Sequence, residues 1–159
     1  MHVIININEI EKYIETLKSK KNINKIVFTN GVFDLIHRGH VEYLERAKEL
    51  GDILVLGLNS DSSVKRLKGP GRPYTAEGDR AYILSRLEAV DIVCVFDEDT
   101  PLELLKKVKP DFLVKGGDYQ LDQIIGREFV ENSGGKVVTI PIVSGRSTTN
   151  LIHSIKAIL

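Results

Sequence analysis

Apolar residues fall along this chain in two alternating patterns. Short, nearly continuous runs at KIVFTN (25–30), DILVLGLN (52–59), DIVCVF (91–96), DFLVKGG (111–117) and KVVTIP (136–141) read as five strands. Continuous rather than alternating runs are what strands covered on both faces require. Between them, apolar positions recur every three or four residues, as on one face of a helix. Ile7, Ile10, Ile14 and Leu17 mark a first helix. Val41, Leu44, Ala47 and Leu50 mark a second, stopped at Gly51. Ser60-Asp61 caps a short helix running to about Leu67, and Thr75 suits the cap of another over about 76–89. Thr100-Pro101-Leu102-Glu103 carries three helix-start signals together. A last helix opens near Ser147 and buries part of Leu151, Ile152, Ile155, Ile158 and Leu159.

Strands alternating with helices predict an α/β fold: a Rossmann-like, doubly wound parallel sheet of about five strands in a single domain. Residues 1–24 read as an N-terminal helical extension and 25–159 as the domain proper. Ligands of such sheets bind beyond the carboxyl ends of the strands, where the strand order reverses. The polar and glycine-rich segments TNGVFD, NSD, KGGDY and VSGRSTT all follow strands, so the chemistry should collect on one edge.

Composition narrows the class. With 22 basic and 22 acidic residues in 159, the formal charge is zero, which gives no electrostatic case for a nucleic-acid or membrane partner. No apolar run approaches the ~20 residues of a membrane span, and MHVIININEI does not read as a secretory signal. A cytoplasmic enzyme is expected. The single cysteine, Cys94, sits within an apolar strand and reads as a buried, inert thiol. One cysteine and four scattered histidines argue against a structural zinc site, and no metal ligands are assigned.

Four segments carry candidate chemistry. His37-Arg38-Gly39-His40 lies between the first strand and its crossover helix. If helical, it places both imidazoles on one face. Gly39 lets a phosphate approach the backbone, and the helix start favours an anion. His40 lies outside the apolar stripe, so truncating it should open no core cavity. Gly145-Arg146-Ser147-Thr148-Thr149 offers hydroxyls, amides and a guanidinium to an anion, though it also suits an ordinary helix cap. The run Lys65 to Arg72 reads as either a solvated basic loop or a mobile loop that closes over phosphates. Lys115-Gly116-Gly117-Asp118 reads as a tight turn or as a strand end against which a nucleobase packs. Neither G-x-G-x-x-G after the first strand nor G-x-x-x-x-G-K-[ST] is present, which disfavours a dinucleotide oxidoreductase and a P-loop enzyme.

TNGVFDLIHRGHVEYLERAKELGD resembles the opening of the HxGH nucleotidyltransferase superfamily. LNSDSSVKRLKGPGRP, FDEDTPLELL, LVKGGDY and VVTIPIVSGRSTT resemble the adenylyltransferase domain of ADP-heptose synthesis, so the likeness runs from about Lys25 onward. It implies transfer of AMP from ATP to D-glycero-β-D-manno-heptose 1-phosphate, giving ADP-heptose for lipopolysaccharide and releasing pyrophosphate. A cytidylyltransferase acting on a sugar or polyol phosphate such as glycerol 3-phosphate is the alternative. The resemblance further implies Mg²⁺ accompanying ATP, a homodimer, and a separate sugar kinase upstream that supplies the sugar 1-phosphate. By similarity, His37 and His40 contact the phosphates at the reacting centre. Arg146, Ser147 and Thr148 hold the leaving phosphates. Lys68 is the mobile-loop cation, with Lys65 its rival. Val32 and Phe33 set backbone against the nucleotide, which Gly39, Lys115, Gly116 and Asp118 also line. Asp34 orients the loop, and Arg80 is structural. Cytidylyltransferases carry Arg-Tyr-Val-Asp where this chain has Glu88-Ala89-Val90-Asp91, which weighs mildly against CTP.

Overall fold

A computed structural model describes residues 2–117, 120–141 and 148–158. Six strands, β1 (Val3–Asn6), β2 (Ile26–Gly31), β3 (Ile53–Asn59), β4 (Ile92–Phe96), β5 (Phe112–Gly116) and β6 (Lys136–Ile140), form one sheet in the order β1-β4-β3-β2-β5-β6. Every pairing is parallel. The chain leaves β2 toward β3 and β4 on one side, then crosses back to β5 and β6 on the other. The order therefore reverses between β2 and β5, whose carboxyl ends stand side by side there.

Among the described residues seven α-helices flank the sheet: α1 (Ile10–Lys21), α2 (Arg38–Lys48), α3 (Asp61–Lys68), α4 (Glu77–Ser85), α5 (Leu102–Val108) and α6 (Arg127–Asn132) between strands, and α7 (Thr148–Lys156) after the last. Strand alternation divides the core between the two faces. Ile26, Phe28, Ile53, Val55, Ile92 and Cys94 pack with Ile10, Ile14 and Leu17 of α1, Leu104, Leu105 and Val108 of α5, and Val130 of α6. Val27, Leu54, Leu56, Leu58 and Val93 pack with Leu44 and Ala47 of α2 and Ala81 and Leu84 of α4. All seven residues of β3 are buried, as its unbroken apolar run requires. Cys94 is buried, and that burial pushes its thiol up to about 12, so the inert reading holds.

Three elements differ from the sequence expectation. The segment ahead of Lys25 is not helix alone: VIIN forms β1, pairs with β4 and makes the sheet six-stranded, while α1 packs in the same core as the rest. The helix expected over 76–89 spans only Glu77–Ser85, and Thr75 does not cap it. The Thr75 N–H instead donates to Asp34 at 3.0 Å. The start expected at Thr100-Pro101 falls slightly later, at Leu102, with Pro101 in the cap position. Ser60 caps α3 as expected, accepting from the Ser63 N–H at 3.0 Å.

Candidate active site

A cavity of about 710 Å³ opens at the carboxyl ends of β2, β3 and β5. Among the described residues it is lined by Val32, Phe33, His37, Gly39, His40, Lys68, Lys115, Gly116 and Thr148, each expected from the sequence. Asp118, Arg146 and Ser147 lie outside the described residues. Asn30, Tyr43, Asn59 and Arg72 join the lining without having been singled out individually.

The histidine motif starts α2 and serves as its cap. His37 is the N-cap residue, and its Nδ1 accepts the Gly39 N–H at 3.1 Å. His40 Nδ1 accepts the His37 N–H at 3.3 Å. This is a reciprocal capping box built from two imidazoles rather than from a hydroxyl and a carboxylate. The rings stack with centroids 3.9 Å apart, and Phe33 lies 5.3 Å from His40. A ring nitrogen that accepts carries no proton, so each neutral ring holds its proton on Nε2. Burial, and after it the neighbouring His37, push His40 down to about 4. His40 is thus a neutral Nε2–H donor at the mouth of a helix whose positive end faces the cavity.

The cations come from both sides of this pair. Lys115, at the end of β5, donates to Asn30 Oδ1, and burial pushes its ammonium down to about 8. Gly116 follows it, and a Cβ there would lie 3.1 Å from the Tyr43 ring. Tyr43 is fixed in turn: its hydroxyl is 2.6 Å from Thr29 Oγ1 and donates to the Val114 carbonyl at 3.2 Å. Lys68 ends α3 on the opposite wall, whereas its rival Lys65 does not line the cavity.

Two buried charges hold the loops in register. The Asp34 carboxylate accepts from Arg72 Nε at 2.9 Å, Tyr74 N–H at 2.8 Å and Thr75 N–H at 3.0 Å. Burial alone would raise its pKa, but these donors outweigh that and hold it below the usual carboxylate range. The Asp34 carbonyl accepts from Thr148 Oγ1 at 2.9 Å, which ties the start of α7 to the same loop. Arg80 is fully buried and donates to the carbonyls of Thr75 (2.9 Å), Val32 (2.7 Å) and Asn59 (3.0 Å) and to Asp61 Oδ1 (2.7 Å). It fastens the ends of β2 and β3 to the starts of α3 and α4. Glu88–Asp91 lies at the start of β4, the sheet end away from the cavity, where Asp91 pairs with Lys48 at 2.7 Å. The difference from the cytidylyltransferase segment therefore says nothing about the base.

A doubly wound sheet whose switch point carries a histidine-capped helix start between two cationic walls is the arrangement of a nucleotidyltransferase. Residues 28–154 match a family described as cytidylyltransferase-like, and the chain belongs to that family. It is 59% identical over 130 residues to the bifunctional protein HldE of Syntrophotalea carbinolica, covering 82% of this chain and 26% of that protein. It is 53% identical over 152 residues to HldE of Geobacter metallireducens, covering 96% and 31%. The chain thus spans between a quarter and a third of the length of these relatives. A lipopolysaccharide core biosynthesis protein from Thermoplasma volcanium superposes with a TM-score of 0.61 at 31% identity, over 75% of this chain and 96% of that one. A pantoate-beta-alanine ligase from Francisella tularensis, solved with beta-gamma ATP and beta-alanine, shares the fold at a TM-score of 0.62 and 17% identity, over 98% and 77%. Among the described residues, no helix is long and apolar enough to cross a membrane.

Proposed function

We propose that this chain transfers AMP from ATP to D-glycero-β-D-manno-heptose 1-phosphate, giving ADP-heptose and pyrophosphate. The observation that carries the reading is the His37–His40 pair, two imidazoles whose Nδ1 atoms cap one helix start in a cavity lined by Lys68, Arg72 and Lys115. The choice of adenylyl group and heptose is supported by the identity to HldE proteins and by the lipopolysaccharide role in the name of the Thermoplasma relative.

The chemistry needs no enzyme nucleophile. A phosphate oxygen of the sugar phosphate attacks the α-phosphorus of ATP, and a new P–O bond forms. The bond from the α-phosphorus to the bridging oxygen breaks, and pyrophosphate leaves with that oxygen. Catalysis is then alignment plus stabilisation of charge on the equatorial oxygens. His37 and His40 donate to those oxygens, and their backbone-held Nδ1 atoms fix the rings before substrate arrives. Lys115 and Gly116 line the nucleotide side, as does the backbone of Val32 and Phe33. Thr148, with Arg146 and Ser147, receives the leaving phosphates. The one carboxylate among the described lining residues, Asp34, is saturated by three donors, and no cluster of metal-ligating side chains occurs among the described residues. Mg²⁺ would accompany ATP, whose phosphates can hold it with few protein ligands.

The family's description favours one second reading, a cytidylyltransferase using a phosphate such as glycerol 3-phosphate. Pyrophosphate release from ATP and CTP, each offered heptose 1-phosphate and glycerol 3-phosphate, separates the two. The proposal expects ATP with heptose 1-phosphate to give the highest kcat/KM. A tenfold preference for CTP, or for glycerol 3-phosphate, would overturn it.

A further inference from the structure

The loop joining α3 to α4 is divided into two mechanically different halves. A Cβ added at Gly69 or Gly71 would meet nothing within 4 Å, and Gly69 has a φ of +97°. This half, which leads away from Lys68, is unpacked. The other half is fastened: Arg72, Tyr74 and Thr75 supply all three hydrogen bonds to the Asp34 carboxylate, whose side chain is only 1% exposed. The Arg72 guanidinium also lies 4.9 Å over the Tyr74 ring. Orientation is thereby set through Nε and one ring face. Neither Nη group has a hydrogen-bond partner among the described residues, although Arg72 lines the cavity. Arg80, which unlike Arg72 is fully buried, spends its guanidinium on four protein acceptors. Arg66 spends its own on Asp97 and Asp99.

The cavity extends both ways from the histidine pair. On the β5 side stand Lys115 and Gly116, which the proposed function gives to the nucleotide. On the β3 side stand Asn59, Leu67, Lys68 and Arg72. An attacking phosphate monoester brings its own negative charge to the α-phosphorus, and the unassigned side is where a fixed guanidinium awaits it. We propose that Arg72 binds the phosphate of the acceptor through its Nη fork, with Asp34 as the positioning residue that aims it. A planar fork meets phosphate oxygens two at a time, which an ammonium does not. Lys68 stands at the end of α3, where the unpacked half begins.

The inference rests on the proposed nucleotidyl transfer but not on heptose as acceptor. The test uses whichever phosphate monoester the wild-type enzyme turns over. Arg72→Gln and Arg72→Lys are compared with wild type by thermal melt and by KM for acceptor and for ATP separately. Loss of a charged hydrogen-bonding partner predicts an acceptor KM raised roughly 10- to 150-fold in Arg72→Gln. Arg72→Lys should recover only part of this, with ATP KM within about threefold of wild type in both. The Tyr74 and Thr75 amides still tether the loop in each variant, so melts should stay near wild type. An unchanged acceptor KM, a defect confined to ATP KM, or full rescue by lysine would each overturn the assignment. A wild-type enzyme inactive with every acceptor would instead refute the transferase reading itself.

Discussion

His40 performs two tasks with two different nitrogens, and amide side chains can separate them. Nδ1 accepts the His37 N–H and so completes the cap of α2, while Nε2–H faces the cavity. In His40→Asn the amide reaches about as far as Nδ1, so it can keep the cap but places no donor at the Nε2 position. In His40→Gln the amide reaches about as far as Nε2 and gives up the cap. The N-cap acceptor itself, His37, is untouched, so losing this reciprocal N3 bond costs no more than the ~0.5–2 kcal/mol that an N-cap side chain is worth. The 3.3 Å length of this bond argues for the lower half of that range. A domain of this size loses about 2–4 °C in Tm per kcal/mol, so His40→Gln should melt a few degrees below wild type. Loss of one preorganised donor to transition-state charge costs about 10²–10³ in kcat. His40→Asn should therefore melt close to wild type and lose that much kcat, while His40→Gln should melt lower and keep more activity. Differential scanning calorimetry and pyrophosphate release on the same preparations decide it. The reverse pattern, a stable active Asn variant beside an inactive Gln variant, would refute the division of labour.

The other predictions concern the frame and the charge of the site. Arg80→Ala strips partners from three carbonyls and from Asp61; breaking such a buried pair costs about 3–5 kcal/mol, so Tm should fall by roughly 6–20 °C. A melt within 2 °C of wild type would show that Arg80 does not bear this load. Lys115, pushed down to about 8 by burial, is charged below that pH and neutral above it. On the proposed function the charged form meets the triphosphate, so kcat/KM for ATP should fall as pH rises through about 8, and Lys115→Gln should lose that limb. A limb of the same midpoint in the variant would assign the titration elsewhere.

Much of this architecture could be read from the order of residues because its causes are local. The five strands named from sequence are apolar runs that must be covered on both faces, and Ser60 caps α3 through a neighbour three residues on. The sixth strand was hidden for a physical reason. VIIN is four residues long, pairs with β4 alone and alternates between partly buried and exposed, so Ile4 and Ile7 fit a helical spacing equally well. α6 buries only Val130 and so leaves almost no stripe to recognise. Within the site, the His-x-Gly-His spacing announced both imidazoles. Tyr43 was not foreseen, because its hydroxyl is anchored to Val114, 71 residues away, and its position on α2 looks like that of any surface tyrosine. Nor was Thr75, which has good cap chemistry but whose N–H is claimed by Asp34, 41 residues earlier. Long-range partners of this kind exist only once the sheet has set the two loops side by side.

On the proposed function an oxygen of the acceptor phosphate becomes the bridge to the α-phosphorus of ATP within this cavity, and pyrophosphate leaves. The most direct measurement incubates the enzyme with MgATP and heptose 1-phosphate carrying ¹⁸O in its phosphate, then weighs both products by mass spectrometry. That transfer predicts ADP-heptose retaining every labelled oxygen and pyrophosphate carrying none. Label in the pyrophosphate, or pyrophosphate released without any ADP-sugar, would contradict it.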